Sequence, residues 1–131
     1  MNAFKVETPI KAELIADMVI GAFEGGITYW CAKARPVEPC EDCVTYEDKC
    51  PWYARTSLYE GDFKIRLQQH EEHKPGAGVD VFMTVESVQK GLNLMAEKYP
   101  EHFSNMVSGN WDAETADVFV QLCVFGDIIY G

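Results

Sequence analysis

The stretch AFEGGITYW, residues 22–30, joins an apolar segment to an aromatic one across two consecutive glycines. Glycine commonly ends a helix because a residue without a Cβ atom adopts the left-handed conformation at little cost. We therefore expect a helix that ends at these glycines and a strand that starts directly after them. Neighbouring strand residues point to opposite faces, so one of Tyr29 and Trp30 should enter the core while the other stays outside. Together with Glu24, they form either a wall of a ligand site or a well-packed corner.

Length and composition indicate one compact domain. The chain has 131 residues, 47% of them apolar, and a domain of this size buries a core without disulfides or metals. Its formal net charge is −10, from 21 acidic and 11 basic residues. A nucleic-acid partner is not expected, because phosphates are neutralised by lysine and arginine. The acidity has two interpretations, namely solubility or mimicry of DNA by carboxylates.

The sequence carries no recognisable targeting signal. No apolar run precedes a small-residue cleavage site near residue 1, and no stretch approaches the ~20 apolar residues of a membrane span. We therefore expect a cytoplasmic protein with no membrane contact, in which cysteines stay reduced.

The N-terminal segment predicts a helix followed by a strand. Thr8 and Pro9 fit an N-cap and a first helical residue, and apolar residues then repeat at helical spacing as far as about Phe23. Residues 27–34, rich in β-branched and aromatic side chains, predict the first strand.

The middle of the chain predicts a loop and a hairpin. Residues 35–51 are rich in proline and cysteine, which indicates an irregular loop or insertion. Residues 53–59 and 63–69 predict the two strands of a β-hairpin, with apolar and polar side chains alternating over the second.

The remainder of the chain is mainly helical. Residues 80–83 predict a short strand, and Thr84 caps a second helix. A short helical turn over residues 101–106 follows, and residues 112–125 predict a third helix capped by Asp112. The predicted fold is thus a small single α+β domain, with an antiparallel sheet packed against about three helices.

The third helix has almost no polar face, so we expect it to be buried nearly all round. Asp117 and Gln121 are exceptions, and their spacing of four residues places them on one face. Buried polar side chains must find hydrogen-bond partners.

Four cysteines form a candidate zinc site. Zinc is held by four ligands in a tetrahedron, and two cysteines separated by two residues commonly supply a pair of them. The candidate ligands are Cys31, Cys40, Cys43 and Cys50, with His70 and His73 as alternatives for a fourth position. The other interpretation is a set of reduced loop cysteines without metal.

A second constellation is suited to ligand binding. It consists of Glu24, Tyr29, Trp30, Asp112, Thr115, Asp117, Gln121 and Tyr130. Carboxylates and an amide beside aromatic rings suit a planar, hydrogen-bonding ligand such as a nucleobase or ribose. Alternatively, Asp112 and Thr115 form only a helix cap, Asp117 and Gln121 bond to backbone, and the aromatic residues belong to the core. No catalytic motif or nucleophile is recognisable, so we expect a binding protein rather than an enzyme.

The two ends of the chain resemble a group of small proteins found in bacteriophage and prophage genomes. The shared pattern is Glu-Gly-Gly-(Ile or Ser)-x-Tyr-Trp, matched by residues 24–30, and Asp-Ala-x-Thr-Ala-Asp, matched by residues 112–117. A downstream glutamine, Gln121, and the ending Gly-x-x-x-Tyr-Gly at residues 126–131 complete it. The cysteine-containing segment, residues 36–51, departs from the shorter connection of the group.

This resemblance implies a phage-encoded accessory factor acting against host defences, in the cytoplasm of an infected bacterium. By analogy with oligomeric phage proteins that bind nucleotide immune signals, we expect a homo-oligomer that sequesters a small nucleotide-like ligand. Tyr29 and Trp30 would stack on it, and Glu24, Asp117 and Gln121 would hydrogen-bond to it. Basic residues concentrated on the predicted strands would neutralise its phosphates. They are Lys33, Arg35, Arg55, Lys64 and Arg66.

Two other function classes stay open. One is an acidic inhibitor of a host defence protein, of the anti-CRISPR or DNA-mimic kind, which would act through surface acids. The other is a small enzyme in which Glu24 and Asp117 form a carboxylate pair, one of them with a raised pKa.

Overall fold

The computed structural model describes residues 3–4, 7–43, 50–70 and 80–131, except for the side chain of Cys43. Within these residues the chain forms a three-stranded antiparallel sheet and a set of helices around one hydrophobic core. The predicted α+β class is therefore confirmed. None of the described helices is both long and apolar enough to cross a bilayer.

The first helix, α1 (Ala12–Gly21), starts later than its sequence pattern predicts. Its N-cap is Lys11, whose side chain makes no capping hydrogen bond, so the predicted start at Thr8 and Pro9 is wrong. The helix runs directly into a wider, π-helical turn, Ala22–Gly26.

The two glycines of this turn do not adopt the predicted left-handed conformation. Gly25 is extended, with φ of 175°, and Gly26 has no positive φ. Gly26 is required for another reason, because a Cβ atom there would lie 2.6 Å from the carbonyl oxygen of Ala113. The close approach of two backbones, rather than a helix cap, therefore explains this glycine.

The sheet has the order β1 (Cys31–Pro36), β2 (Lys64–Gln69) and β3 (Asp80–Thr84), with both pairs antiparallel. Residues 27–30 form a turn before β1 rather than its first part. The predicted separation of Tyr29 and Trp30 is nevertheless confirmed, since Tyr29 is 46% exposed and Trp30 is fully buried.

The predicted β-hairpin is half wrong. Its second strand is present as β2, but its first strand is replaced by a 3₁₀ turn (Trp52–Ala54) and a short helix, α2 (Thr56–Glu60). The partners of β2 are instead β1 and β3. Leu58 and Tyr59 of α2 are buried in the core.

Three helices complete the domain: α3 (Val85–Lys98), α4 (Pro100–Ser108) and α5 (Ala113–Phe125). Thr84 caps α3 as predicted, in a reciprocal capping box with Ser87. α4 is longer than the turn predicted over residues 101–106. The third predicted helix, α5, is confirmed together with its Asp112 cap, and its buried residues extend from Thr115 to Cys123 with the exception of Asp117.

The two faces of the sheet differ sharply. Ile65, Leu67 and Met83 point into the core and are fully buried. On the opposite face, which we call the open sheet face, the alternate residues are polar or charged except for Phe82. Its members are Lys33, Arg35, Lys64, Arg66, Gln68, Asp80, Phe82 and Thr84.

Candidate functional site

Asp117 is the centre of a hydrogen-bond network that joins α5 to the turn before β1. The Tyr29 hydroxyl donates to its Oδ2 atom at 2.6 Å, and the Trp30 indole N–H donates to its Oδ1 atom at 2.9 Å. The Gln121 amide, one helical turn further along α5, also donates to Oδ1, at 2.9 Å. Four of the eight residues of the predicted ligand-binding constellation are therefore joined in one hydrogen-bond network.

Gln121 connects this network to the last residues of the chain. Its Oε1 atom accepts the backbone N–H groups of Ile129 and Tyr130, at 2.8 and 2.9 Å. Its Nε2 atom donates to the carbonyl oxygen of Tyr130 at 3.2 Å. One fully buried amide thus holds the segment that follows the left-handed Gly126 against α5.

Two further aromatic rings, those of Phe125 and Tyr130, pack against Trp30 beside this network. Tyr130 stacks on Trp30 with ring centroids 5.5 Å apart and planes 12° apart, and Phe125 lies 5.3 Å from Trp30. The Tyr130 hydroxyl donates to the side chain of Gln69 on β2. Because Trp30 is fully buried, its ring has no surface on which a ligand could stack in this conformation.

Tyr29 is the exposed member of the network. Partial burial, the hydrogen bond to Asp117 and the charge of that carboxylate all raise the pKa of the Tyr29 hydroxyl above its ordinary value. The phenol is therefore neutral at physiological pH and serves as a hydrogen-bond donor.

Asp112 and Thr115 form a separate, smaller group at the start of α5. The Asp112 carboxylate accepts the backbone N–H of Thr115 at 3.0 Å and its hydroxyl at 3.1 Å. Both hydrogen bonds lower the pKa of the Asp112 carboxyl group, and the bond from the backbone N–H has the larger effect. Since the Thr115 hydroxyl donates to Asp112, His102 Nδ1, 3.2 Å away, must donate to that hydroxyl. This group caps α5 and joins it to α4.

Glu24 belongs to a third group, on the other side of the π-helical turn. Its Oε2 atom accepts a hydrogen bond of 2.8 Å from the Tyr53 hydroxyl. Burial, followed by this hydrogen bond and the carboxylate charge, raises the pKa of Tyr53 to about 12. Among the described contacts, no hydrogen bond joins Glu24 to Asp117.

Tyr53 is part of an aromatic cluster that the sequence interpretation did not single out. Phe23 lies 5.2 Å from Tyr53 and 6.1 Å from Trp52, between ring centroids. Trp52 and Tyr53 are partly buried and meet edge to face at 5.5 Å. The available signal was the sequence Pro51-Trp52-Tyr53, in which two large aromatics directly follow the proline-rich segment.

A groove runs between this cluster and the outer edge of β1, and we call it the β1 groove. A cavity of about 210 Å³ lies against Phe23, Cys31, Lys33, Trp52 and Tyr53. It adjoins a second cavity of about 530 Å³, with which it shares Lys33, Ala34 and Trp52 and which is also lined by Arg35 and Glu41. The groove therefore has aromatic rings at one end, and Lys33 and Arg35 beside Glu41 at the other.

The described cysteines do not come together. The thiols of Cys31, Cys40 and Cys50 contact backbone oxygens of Lys33, Val37 and Pro51, respectively. Burial raises the pKa of the Cys31 thiol to about 11, which keeps it protonated. Within the described residues, no three histidine, cysteine or acidic side chains are placed to hold a metal ion. The Cys43 side chain and His73 lie outside the described residues, so the zinc site stays a prediction.

Neither a protein-family model, nor a curated protein, nor a solved structure matches this chain.

Proposed function

We propose that this protein sequesters a small nucleotide-like ligand, and that the β1 groove is its binding site. The observation that carries the proposal is the combination, in one groove, of a Phe23–Trp52–Tyr53 aromatic cluster with the basic residues Lys33 and Arg35. Aromatic faces stack on nucleobases, and lysine and arginine neutralise phosphates.

The groove has suitable dimensions for such a ligand. Small-molecule sites typically occupy roughly 300–1,000 Å³, and the larger cavity of the groove alone measures about 530 Å³. Glu24, at the aromatic end, is exposed and accepts a hydrogen bond from Tyr53. A carboxylate in this position can accept hydrogen bonds from a ribose or from the amino group of a base.

The Asp117 network has a supporting role in this proposal. It fixes the turn between α1 and β1, and that turn carries Phe23 and Glu24 on one side and leads into Cys31 and Lys33 on the other. Tyr29, Trp30, Asp117, Gln121 and Tyr130 would thus position the groove. Direct ligand contact by these residues stays a prediction.

The biological role that we propose rests on the resemblance of the two chain ends to phage proteins. A phage-encoded binding protein without catalytic machinery would act against a host defence by removing a nucleotide signal from the cytoplasm of the infected bacterium. Such an accessory factor would work stoichiometrically, and we propose that it does so as a homo-oligomer.

Native mass spectrometry of the protein purified from cells tests the proposal directly. We expect each subunit to retain a molecule with a mass on the order of a few hundred daltons, the range of drug-sized ligands that fill such pockets. The same spectrum reports the number of subunits and any bound zinc.

The variant Trp52→Ala locates the site. We expect it to lose the retained molecule and to keep the circular dichroism spectrum of the wild type, because Trp52 is only partly buried and no described strand contains it. Phe103→Ala is the matched control, since it shortens a partly buried aromatic side chain on α4, outside the groove.

Retention of the molecule by Trp52→Ala would refute the β1 groove as the site. A protein that carries no small molecule, and whose binding to a host protein responds to charge reversal at surface acids but not to Trp52→Ala, would instead establish an acidic protein-protein inhibitor.

A further inference from the structure

The open sheet face concentrates positive charge in a protein that is otherwise acidic. The net charge of the chain is −10. Four basic residues nevertheless share this one face, namely Lys33 and Arg35 on β1 and Lys64 and Arg66 on β2. Solubility does not explain this cluster, because it depends on the net charge and does not require the few basic residues to lie together.

The register of the strands places two of these charges directly against each other. Arg35 is the cross-strand partner of Arg66. Like charges directly opposite in an antiparallel pair are destabilising. Asp80 partly compensates Arg66, since its carboxylate lies 3.8 Å from Arg66 Nε, with both side chains substantially exposed. An anion between Arg35 and Arg66 would relieve the repulsion.

Phe82 and Lys64 extend the Arg35–Arg66 pair into a row of side chains across the sheet, which we call the track. Phe82 is the cross-strand partner of Arg66 and is 38% exposed. The Lys64 ammonium lies 4.6 Å from the centre of the Phe82 ring. A cavity of about 490 Å³ on this side is lined by Lys64, Arg66 and Phe82 together with Val37, Glu38 and Pro39.

The track continues the β1 groove. Arg35 lines the basic end of the groove, and its cross-strand partner Arg66 lines the next cavity across the sheet. The basic side chains lie on β1 and β2, whose separation of about 4.8 Å is a distance that a chain of two or three phosphates can span.

We infer that the open sheet face binds a chain of phosphates, which restricts the ligand to nucleotides with at least two phosphate groups. The base would occupy the aromatic end of the β1 groove, and the phosphates would lie across Arg35 and Arg66. This inference rests on the proposed function for the base, but the anion site itself depends only on the sheet.

Inorganic tripolyphosphate tests the anion site without a base. Isothermal titration calorimetry should show binding at least about tenfold tighter than that of sulfate at equal ionic strength, because several phosphates meet several guanidinium and ammonium groups. Backbone amide shifts in nuclear magnetic resonance spectra should centre on Arg35, Arg66 and Phe82.

Two double variants remove the same charge from different places. Arg35→Gln with Arg66→Gln should weaken tripolyphosphate binding by at least about tenfold. Lys90→Gln with Lys98→Gln, both exposed on α3, should change it by less than about twofold. Without anion, the sheet variant should be at least as resistant to denaturant as the wild type, because it lacks the Arg35–Arg66 repulsion.

The outcomes separate the two proposals. Three results would overturn the anion site. They are equal weakening of tripolyphosphate binding in both double variants, no tripolyphosphate binding by the wild type, and a change of oligomeric state in the sheet variant alone. The molecule retained by the wild type could carry one phosphate or none and still be lost in Trp52→Ala. That result would refute the phosphate chain, while the proposed function would stand. Tripolyphosphate binding at the sheet, with no ligand lost in Trp52→Ala, would refute the β1 groove and leave the anion site in place.

Discussion

Gln121 shows how much a single side chain organises in this protein. Its amide is 1% exposed and makes hydrogen bonds with Asp117, Ile129 and Tyr130. A glutamine has two donor hydrogens and one acceptor oxygen, and here both ends of the amide are engaged. The residue acts as the connection between α5 and the segment after Gly126.

Replacement of this amide should therefore be costly. We expect Gln121→Leu to lower the free energy of unfolding by about 2–3 kcal/mol, because the buried N–H of Tyr130 and the Asp117 carboxylate lose a partner. Denaturant unfolding measures the loss, and hydrogen exchange should show faster exchange at Ile129 and Tyr130.

Gln89→Leu is the matched control for this variant. Gln89 is exposed on α3, so we expect a change within about 0.5 kcal/mol. If Gln121→Leu is as stable as the control, the segment after Gly126 is held by its aromatic packing alone.

At the scale of elements, the contact of α3 with α5 depends on one glycine. A Cβ atom on Gly91 would lie 2.5 Å from the Cys123 sulfur and 2.9 Å from the Cys123 Cα and backbone nitrogen. Backbone atoms cannot rotate out of the way as the end of a side chain can, so the two helices would have to separate.

We expect Gly91→Ala to destabilise the fold by about 1–3 kcal/mol, even though alanine is favoured over glycine by ~1 kcal/mol inside a helix. Thermal or denaturant unfolding decides the sign. Asn93→Ala, exposed on the same helix, should stay within about 0.5 kcal/mol of the wild type. A stabilised Gly91→Ala would mean that helix propensity outweighs the contact.

The helices after residue 84 follow from local sequence signals, whereas the bounds of the first helix and of β1 and the structure of residues 53–59 do not. Thr84 and Asp112 predict the starts of α3 and α5 correctly, because a capping side chain acts within one turn of its own position. The segment 53–59 has the aromatic composition of a strand, but tertiary contacts place Leu58 and Tyr59 in the core as a helix. Likewise Gly26 is explained only by Ala113, a residue far away in the sequence.

The candidate site was predictable to a similar degree. Asp117 and Gln121 stand out because they are polar residues in an otherwise apolar helix, and their need for partners was correctly anticipated. The identity of those partners depends on packing, which turned Trp30 inward. Trp52 and Tyr53 could not be assigned to a groove before the outer edge of β1 was known.

For the whole molecule, the distribution of charge has a measurable effect. With 21 acidic residues against 11 basic ones, and four of the basic ones on the open sheet face, the remaining surface repels itself. We expect the melting temperature at pH 7 to rise by a few degrees when sodium chloride is increased from low to physiological ionic strength.

The salt effect should disappear near pH 4.6, the isoelectric point of the sequence, because positive and negative charges balance there and the net repulsion is lost. Differential scanning calorimetry at the two pH values makes the comparison. A melting temperature that falls with salt at pH 7 would show that attractive ion pairs outweigh the repulsion.

The pairing of Trp30 with Asp117 and Tyr130 also has a consequence for biosynthesis. The two hydrogen-bonded residues are 87 positions apart, and a ribosome adding roughly 5–20 residues per second needs several seconds to cover that interval. Throughout this time the newly made indole lacks its native neighbours. The nascent chain therefore completes this part of its core only after α5 and Tyr130 have left the exit tunnel.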